Sequence, residues 1–251
     1  MLIIFLKELV LYNKLEDLVL DIKKGKALIN KNEKSIHATN DDRFEIIHFK
    51  ETLPVKNKKN VTKIRGKGEN NCTVSVGLYK YLKSFNIPSH FKKKIQSNEI
   101  LVKKVDLIPV TISIWNIVSK KFSRNYDIKK GEFLKCPVIE YYLNNKKLNY
   151  PMINLDHIIA FDYATDDEFK TMDIYSRKIN AILKAYFERR GYKLGYFEVE
   201  FGKLDNEIVL ASDITPDNCQ LWDMKEPGSR WFYLNRKQIS EAYKELIGML
   251  L

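Results

Sequence analysis

Apolar positions along the chain fall mostly into short runs of period two, interrupted by three longer stretches with the period of a helix. Residues 19–22, 27–29 and 44–49 read as strands, separated by the polar turns 23–26 and 40–42. Residues 50–70 are polar and basic and read as a loop. A helix is expected over 72–85, where Val74, Leu78, Tyr81, Leu82 and Phe85 share a face and Pro88 cannot continue the element. Further strands are expected at 100–102, 107–117 and 138–143, the middle one alternating apolar and polar. The clearest helix covers 166–190, with Ile174, Ile179, Ile182, Leu183, Tyr186 and Phe187 as its stripe and Gly191 at C′. A hairpin follows, with strands at 197–202 and 207–211 around residues 203–206, and a last helix is expected over 236–249.

That order predicts an α+β fold with no internal repeat and no flexible linker, so any domains share a tight interface. Hydrophobic residues make up 45 % of the 251 positions, which supports a sizeable core and excludes disorder. Cys72, Cys136 and Cys219 lie far apart without metal-ligand spacing, which fits reduced thiols. No run approaches the roughly 18 apolar residues of a spanning helix, and the apolar start is broken by Lys7 and Glu8. The expected location is cytoplasmic, away from membranes.

Charge narrows the partners. With 43 Lys and Arg against 32 Asp and Glu the net charge is +11, which favours nucleotides, phosphorylated metabolites or nucleic acid. A merely solvated lysine-rich surface accounts for the same number, and tracts such as Lys92, Lys93 and Lys94 are usually of that kind. The histidines, His37, His48, His90 and His157, lack metal spacing and a paired nucleophile. Arg65-Gly-Lys-Gly68 is too short for a P-loop.

Several fragments in register carry a more specific signal. They are Gly25-Lys26-Ala27, the Arg65-Gly-Lys-Gly-Glu-Asn-Asn71 segment, Ile87-Pro-Ser-His-Phe91 and Leu107-Ile-Pro-Val110 after Lys103 and Lys104. Tyr150-Pro-Met-Ile-Asn154, Phe197-Glu-Val-Glu-Phe-Gly202 and Asp213-Ile-Thr-Pro-Asp-Asn-Cys-Gln-Leu-Trp-Asp223 complete the set. Together, over roughly residues 20–225, they resemble the SAICAR synthetase family. The resemblance implies a small, mostly antiparallel N-terminal nucleotide lobe, residues 1–104, packed on a larger α/β C-terminal lobe, residues 105–251. It implies an ATP-dependent ligase of purine biosynthesis that joins the carboxylate of CAIR, a phosphoribosyl aminoimidazole, to the amine of L-aspartate, giving SAICAR, ADP and phosphate, with Mg²⁺.

The same resemblance assigns roles. Gly25, Lys26, Ala27 and Lys103 contact the nucleotide, with Lys26 on its phosphates from a turn between strands. Glu200 and Asp213 hold the metal, and Lys26, Glu200 and Asp217 are the catalytic candidates. Lys120, Lys121, Arg124 and Asp217 face the substrate. ATP, CAIR and aspartate are the expected partners, a homo-oligomer is admitted, and nucleic acid is not expected. Read as residues alone, Glu200 is equally the outward position of an alternating strand, and Asp217 a turn aspartate capping backbone amides.

The chain departs from the family motif at several places. Leu28 stands for the second lysine of the glycine–lysine motif, and Ser212 for its usual aspartate. Tyr196 and Glu198 occupy the D-x-K positions, Trp115 stands where an arginine is expected, and Gln220 replaces the arginine before Leu-Trp. Arginine grips phosphate with a fork of donors that tryptophan and glutamine lack. The substitutions leave a second reading open: a repurposed relative that binds a nucleotide or partner without ligation.

Overall fold

A computed structural model of the chain describes residues 21–53, 62–223 and 247–248. Two antiparallel sheets organise it. The first has the order β1-β2-β3-β7-β6, from β1 (Lys24–Asn30), β2 (Lys34–Thr39), β3 (Phe44–Phe49), β6 (Phe91–Gln96) and β7 (Glu99–Lys103). A two-stranded ribbon of β4 (Thr52–Leu53) and β5 (Thr62–Lys63) leads into helix α1 (Lys67–Lys83), which packs on β3, β6 and β7. The second sheet begins with β8 (Asp106–Ile117), β9 (Phe133–Leu143) and β10 (Met152–Ile153). α2 (Lys120–Tyr126) lies between β8 and β9, and α3 (Leu155–Ala160) and α4 (Asp166–Glu188) follow β10. β11 (Tyr192–Leu204), β12 (Glu207–Leu210) and β13 (Cys219–Asp223) complete it, in the order β10-β9-β8-β11-β12, with β13 also on β11.

Local chemistry explains the principal boundaries. Thr165 caps α4 by accepting from Glu168 N at 3.2 Å while Glu168 accepts from Thr165 N at 2.8 Å, and Asp166, Asp167 and Glu168 face the positive end of the helix dipole. Gly191, at φ +83°, turns the chain out of the helix into β11. Helix α1 starts five residues before the expected position because Gly68 lets its first turn lie against β3. A Cβ on Gly68 would stand 2.4 Å from the carbonyl oxygen of Phe49.

One apolar core runs through both sheets. It joins Ile47 and Phe49 of β3, Val74, Leu78 and Leu82 of α1, and Ile100 and Val102 of β7. It continues through Ile112 and Ile114 of β8, Met172, Ile179 and Leu183 of α4, and Phe197, Val199 and Phe201 of β11. Backbone pairing also bridges the sheets: Leu210 N donates to Pro88 O at 2.9 Å, and His90 N to Leu210 O at 3.0 Å. No helix among the described residues is long and apolar enough to cross a membrane.

The strands at 44–49, 100–102 and 107–117, the hairpin and the α4 helix agree with the sequence pattern. Residues 23–26 do not form a turn: β1 begins at Lys24, and Lys26 sits within an edge strand whose residues are all exposed. Ile174, expected on the buried stripe of α4, is 61 % exposed. The basic tract at 92–94 belongs to β6. Residues 21–22 of the strand expected at 19–22 are irregular, and its first two residues lie outside the described ones. The helix expected at 236–249 also lies outside them, apart from residues 247–248, which are helical.

The connector between the sheets rests directly on the last part of β11. A Cβ at Gly202 would meet Val105 Cγ2 at 2.6 Å and Asp106 O at 3.1 Å. Gly202→Ala is therefore expected to destabilise the protein by about 1–3 kcal/mol through overpacking, read as a lower urea midpoint at unchanged slope. A midpoint equal to that of the parent would remove this contact from the fold.

Candidate active site

The long strand β11 builds the site through its alternation. Phe197, Val199 and Phe201 point into the core, so Tyr196, Glu198 and Glu200 share the opposite face. On β8 the partners in register are Trp115, Ser113 and Thr111, and Tyr142 of β9 lies opposite Thr111. The outer edge of β11 is divided between β13, which pairs with residues 192–197, and β12, which pairs with 201–204. Residues 211–218 cross the gap between them. Ala211 N donates to Glu200 O at 2.9 Å, Glu198 N to Asn218 O at 3.2 Å, and Glu200 N to the Ser212 hydroxyl at 2.9 Å. Ser212 thus fastens the crossing segment to β11.

Two buried ion pairs hold that segment against the first half of the chain. Lys34, on β2, pairs with Asp213. Burial works against charge on Lys34, but Asp213, with smaller help from Glu200 and Glu33, keeps its pKa above the ordinary lysine value. Lys67, at the start of α1 and fully buried, pairs with Asp217, which also accepts from Asn71 Nδ2 at 2.7 Å. Burial pushes the Asp217 carboxyl upward, and Lys67 and Asn71 oppose that shift. Asn218 locks the turn by donating to Asp213 O at 2.6 Å and accepting from Thr215 N at 2.8 Å.

A pocket of about 480 Å³ opens over the outward face of β8 and β11, lined by Lys31, Thr111, Ser113, Trp115, Tyr142, Asn144, Tyr150, Tyr196, Glu198 and Glu200. Glu200 Oε1 accepts from Thr111 at 3.0 Å and from Asn144 at 2.7 Å, which fixes the carboxylate and leaves its second oxygen for a ligand. Glu198 accepts from Tyr196 and Ser113, and burial raises its pKa. The Trp115 and Tyr196 rings lie 4.0 Å apart between centroids, and Trp115 Nε1 donates to Glu140 at 3.0 Å.

The structure therefore gathers Glu200, Asp213 and Asp217 at one junction. The lysines that reach it are Lys31 and Lys34, which lie outside the matched fragments, and Lys67, which lies within the Arg65–Asn71 fragment but carries no role in the resemblance. Lys26 stays exposed on β1 and makes no side-chain hydrogen bond or ion pair among the described residues. Gly25 passes close to β2, where an added Cβ would lie 3.1 Å from Ala38 O, and Ala27 pairs with His37. Lys103 lines a different groove. Lys120 and Arg124 are exposed on α2, outside the pocket lining, and the same helix carries Lys121.

Among the described residues no group of three or more His, Cys, Asp or Glu side chains is placed to hold a metal ion. Magnesium needs fewer: one or two carboxylates and the phosphates of a nucleotide complete its shell. Asp213 and Glu200, both hard oxygen donors within the field of Lys34, fit that requirement.

A family model described as SAICAR synthetase matches residues 22–238. The phosphoribosylaminoimidazole-succinocarboxamide synthase of Clostridium kluyveri is 34 % identical over 229 residues, covering 90 % of this chain and 97 % of the relative. The crystal structure of the enzyme of that name from Ehrlichia chaffeensis superposes with a TM-score of 0.83 at 35 % identity, covering 90 % of this chain and 98 % of the other. A SAICAR synthetase in complex with ADP gives a TM-score of 0.82 at 30 % identity, covering 90 % and 97 %.

Two stability measurements test the junction. Lys67→Met, which strands Asp217 as a buried unpaired charge, is expected to lower unfolding free energy by about 3–5 kcal/mol, and adding Asp217→Leu to recover part of the loss. Equal stability of the single and double variants would remove the pair from the account. The second concerns His90, buried against the Tyr79 hydroxyl at 3.0 Å. Burial drives its pKa from 6.5 down to about 3, with Asp213 opposing and Lys34 assisting. Between those values the unfolded chain takes up a proton that the folded chain refuses. This contribution is complete above about pH 6.5 and is lost as pH falls toward 3, by at most about 1.4 kcal/mol per pH unit. A His90→Gln variant should show a shallower fall in melting temperature between pH 6.5 and 4 than the parent; parallel curves would refute the assignment.

Proposed function

The chain belongs to the SAICAR synthetase family, and from that premise we propose that it joins the carboxylate of CAIR to the amine of L-aspartate while ATP is cleaved to ADP and phosphate. The observation that carries this reading is the convergence of Glu200, Asp213 and Asp217 with Lys34 and Lys67 where the two sheets meet. A carboxylate is a poor electrophile until it accepts a phosphoryl group, and that transfer needs cations around the triphosphate. The ADP-bound relative supports a nucleotide in this fold.

In the proposed arrangement residues 1–104 carry the nucleotide and residues 105–251 the substrate. Gly25, Lys26 and Ala27 on exposed β1 lie along the nucleotide, with Lys26 and Lys34 as the cations for its phosphates. Asp213 and Glu200 would hold Mg²⁺, whose charge offsets that of the triphosphate. Thr111 and Asn144 keep Glu200 oriented, and Asp217, fixed by Lys67 and Asn71, positions the segment that bears Asp213. The γ-phosphoryl passes to the CAIR carboxylate oxygen as ADP leaves. The aspartate amine then attacks the acyl carbon and phosphate departs. The cytoplasm is the proposed compartment.

A coupled assay tests the reading. ADP release should require CAIR and aspartate together. Glu200→Gln should lower turnover by roughly a hundredfold or more with the melting temperature unchanged. ADP release that ignores both co-substrates, or full activity of Glu200→Gln, would overturn it.

A further inference from the structure

Glu198 and Glu200 stand two residues apart on the outward face of β11, about 7 Å along the strand, and both are anchored in the same manner. Tyr196 and Ser113 donate to Oε1 of Glu198, as Thr111 and Asn144 donate to Oε1 of Glu200. In both carboxylates Oε2 accepts no hydrogen bond from a described residue. The proposed magnesium site uses only Glu200. We propose that Glu198 determines specificity for the amino-acid nucleophile, its Oε2 receiving the ammonium group of L-aspartate. The identity of that ligand rests on the ligase reading; its charge is argued from the pocket.

The pocket suits a compact cation. Its charged lining residues are Glu198, Glu200 and Lys31, so carboxylates are in excess, and Glu140 adds another behind Trp115 and Tyr142. The anchors of Glu198 and Glu200 are neutral hydroxyl and amide groups, which orient a carboxylate without cancelling its charge. Lys34, the other lysine in reach of Glu200, is already paired with Asp213. Trp115, Tyr142, Tyr150 and Tyr196 supply much of the remaining wall, and aromatic faces attract a cation through their quadrupole. A lysine at position 198, as in the family motif, would repel an ammonium group; glutamate attracts it.

An α-amino acid carries its ammonium and carboxylate groups close together, and the lining offers a partner for each. Lys31, in the turn between β1 and β2, stands in the same lining as Glu198 and makes no ion pair with a described residue. It is placed for the ligand carboxylate while Glu198 takes the amine. The nucleophile must also sit beside the activated carboxylate, and Glu198 adjoins Glu200 on the same face of one rigid strand. An ion pair made through one fixed oxygen holds the nitrogen in a defined position, which favours attack.

Calorimetry of the full chain, saturated with Mg²⁺ and ADP, tests the assignment with L-aspartate against succinate, which lacks only the amine. The parent should bind L-aspartate roughly tenfold or more tighter than succinate. Glu198→Gln should bind the two alike at an unchanged melting temperature, and Glu198→Asp, which keeps the charge, should retain part of the preference. Glu198→Ser, with the same expectation as Glu198→Gln, serves if the latter fails to fold. In the ligation assay Glu198→Gln should raise KM for L-aspartate by a similar factor and leave KM for CAIR unchanged. A parent that shows the preference but releases no ADP overturns the ligase reading and keeps Glu198 as the ammonium partner. Absence of L-aspartate binding, equal affinity of the parent for both ligands, or a preference that survives Glu198→Gln overturns the role of Glu198. Loss of Mg²⁺ binding in Glu198→Gln with the preference intact would give Oε2 to the metal and equally overturn it.

Discussion

Two buried lysine–aspartate pairs, Lys34 with Asp213 and Lys67 with Asp217, fasten a short segment of the second sheet to β2 and α1, and the rest of the site depends on them. That segment exists because the outer edge of β11 is shared by two strands, so the chain must cross between them at residues 211–218. A crossing segment made of turn residues would have no preferred height above the sheet. Here Ser212 ties it to the Glu200 backbone, and the two lysines draw its carboxylates toward the first half of the chain. Removing two charges from water is expensive, and their attraction offsets that cost only when the geometry is good and further hydrogen bonds are made. Asn71 on Asp217 supplies one such bond. The carboxylates are therefore preorganised rather than merely present.

Three of the positions that depart from the family motif form a set in space. Trp115, Tyr196 and Glu198 are scattered in sequence, yet the β8–β11 register puts Trp115 beside Tyr196, and Glu198 beside Ser113. Their bonds close on one another. The Trp115 ring lies tilted against Tyr196 and its Nε1 donates to Glu140, while Tyr196 and Ser113 donate to Glu198. A lone glutamate in place of a lysine would leave a buried carboxylate without donors. Here each change supplies the partner that another needs. Read one at a time, these residues look like losses; the structure joins them into one coherent wall of the pocket.

What could be read from the sequence follows from the range over which each interaction acts. The alternation in 107–117 and the 197–211 hairpin is local, as is the capping box of α4, and those elements match. The strand expected at 27–29 lies within β1, but the start of β1 at Lys24 is hidden, because an edge strand with every residue exposed has no apolar alternation and its lysines and glycine look like a turn. The tract at 92–94 was obscured for a similar reason, since neighbouring lysines can share a strand without being buried. Glu200, Asp213 and Asp217 were visible through the motif. Lys34 lies outside the matched fragments and Lys67 within one, but neither pairing is legible: 179 and 150 residues separate the paired positions, and no local pattern reports such a contact.

The two glycine–lysine fragments show most clearly why composition alone misleads. Gly25-Lys26 and Gly66-Lys67-Gly68 look alike on paper, each small and cationic. Packing separates them. Lys26 lies on an exposed edge strand, whereas Lys67 is wholly buried because Gly68 allows the helix start to approach the Phe49 carbonyl. The first keeps its charge available to a ligand, and the second has spent its charge on an internal aspartate. The net charge of +11 thus resolves into distinct classes of lysine. Some are neutralised inside the fold, some line a groove, and the rest are solvated. The neighbouring backbone, not the count, decides which is which.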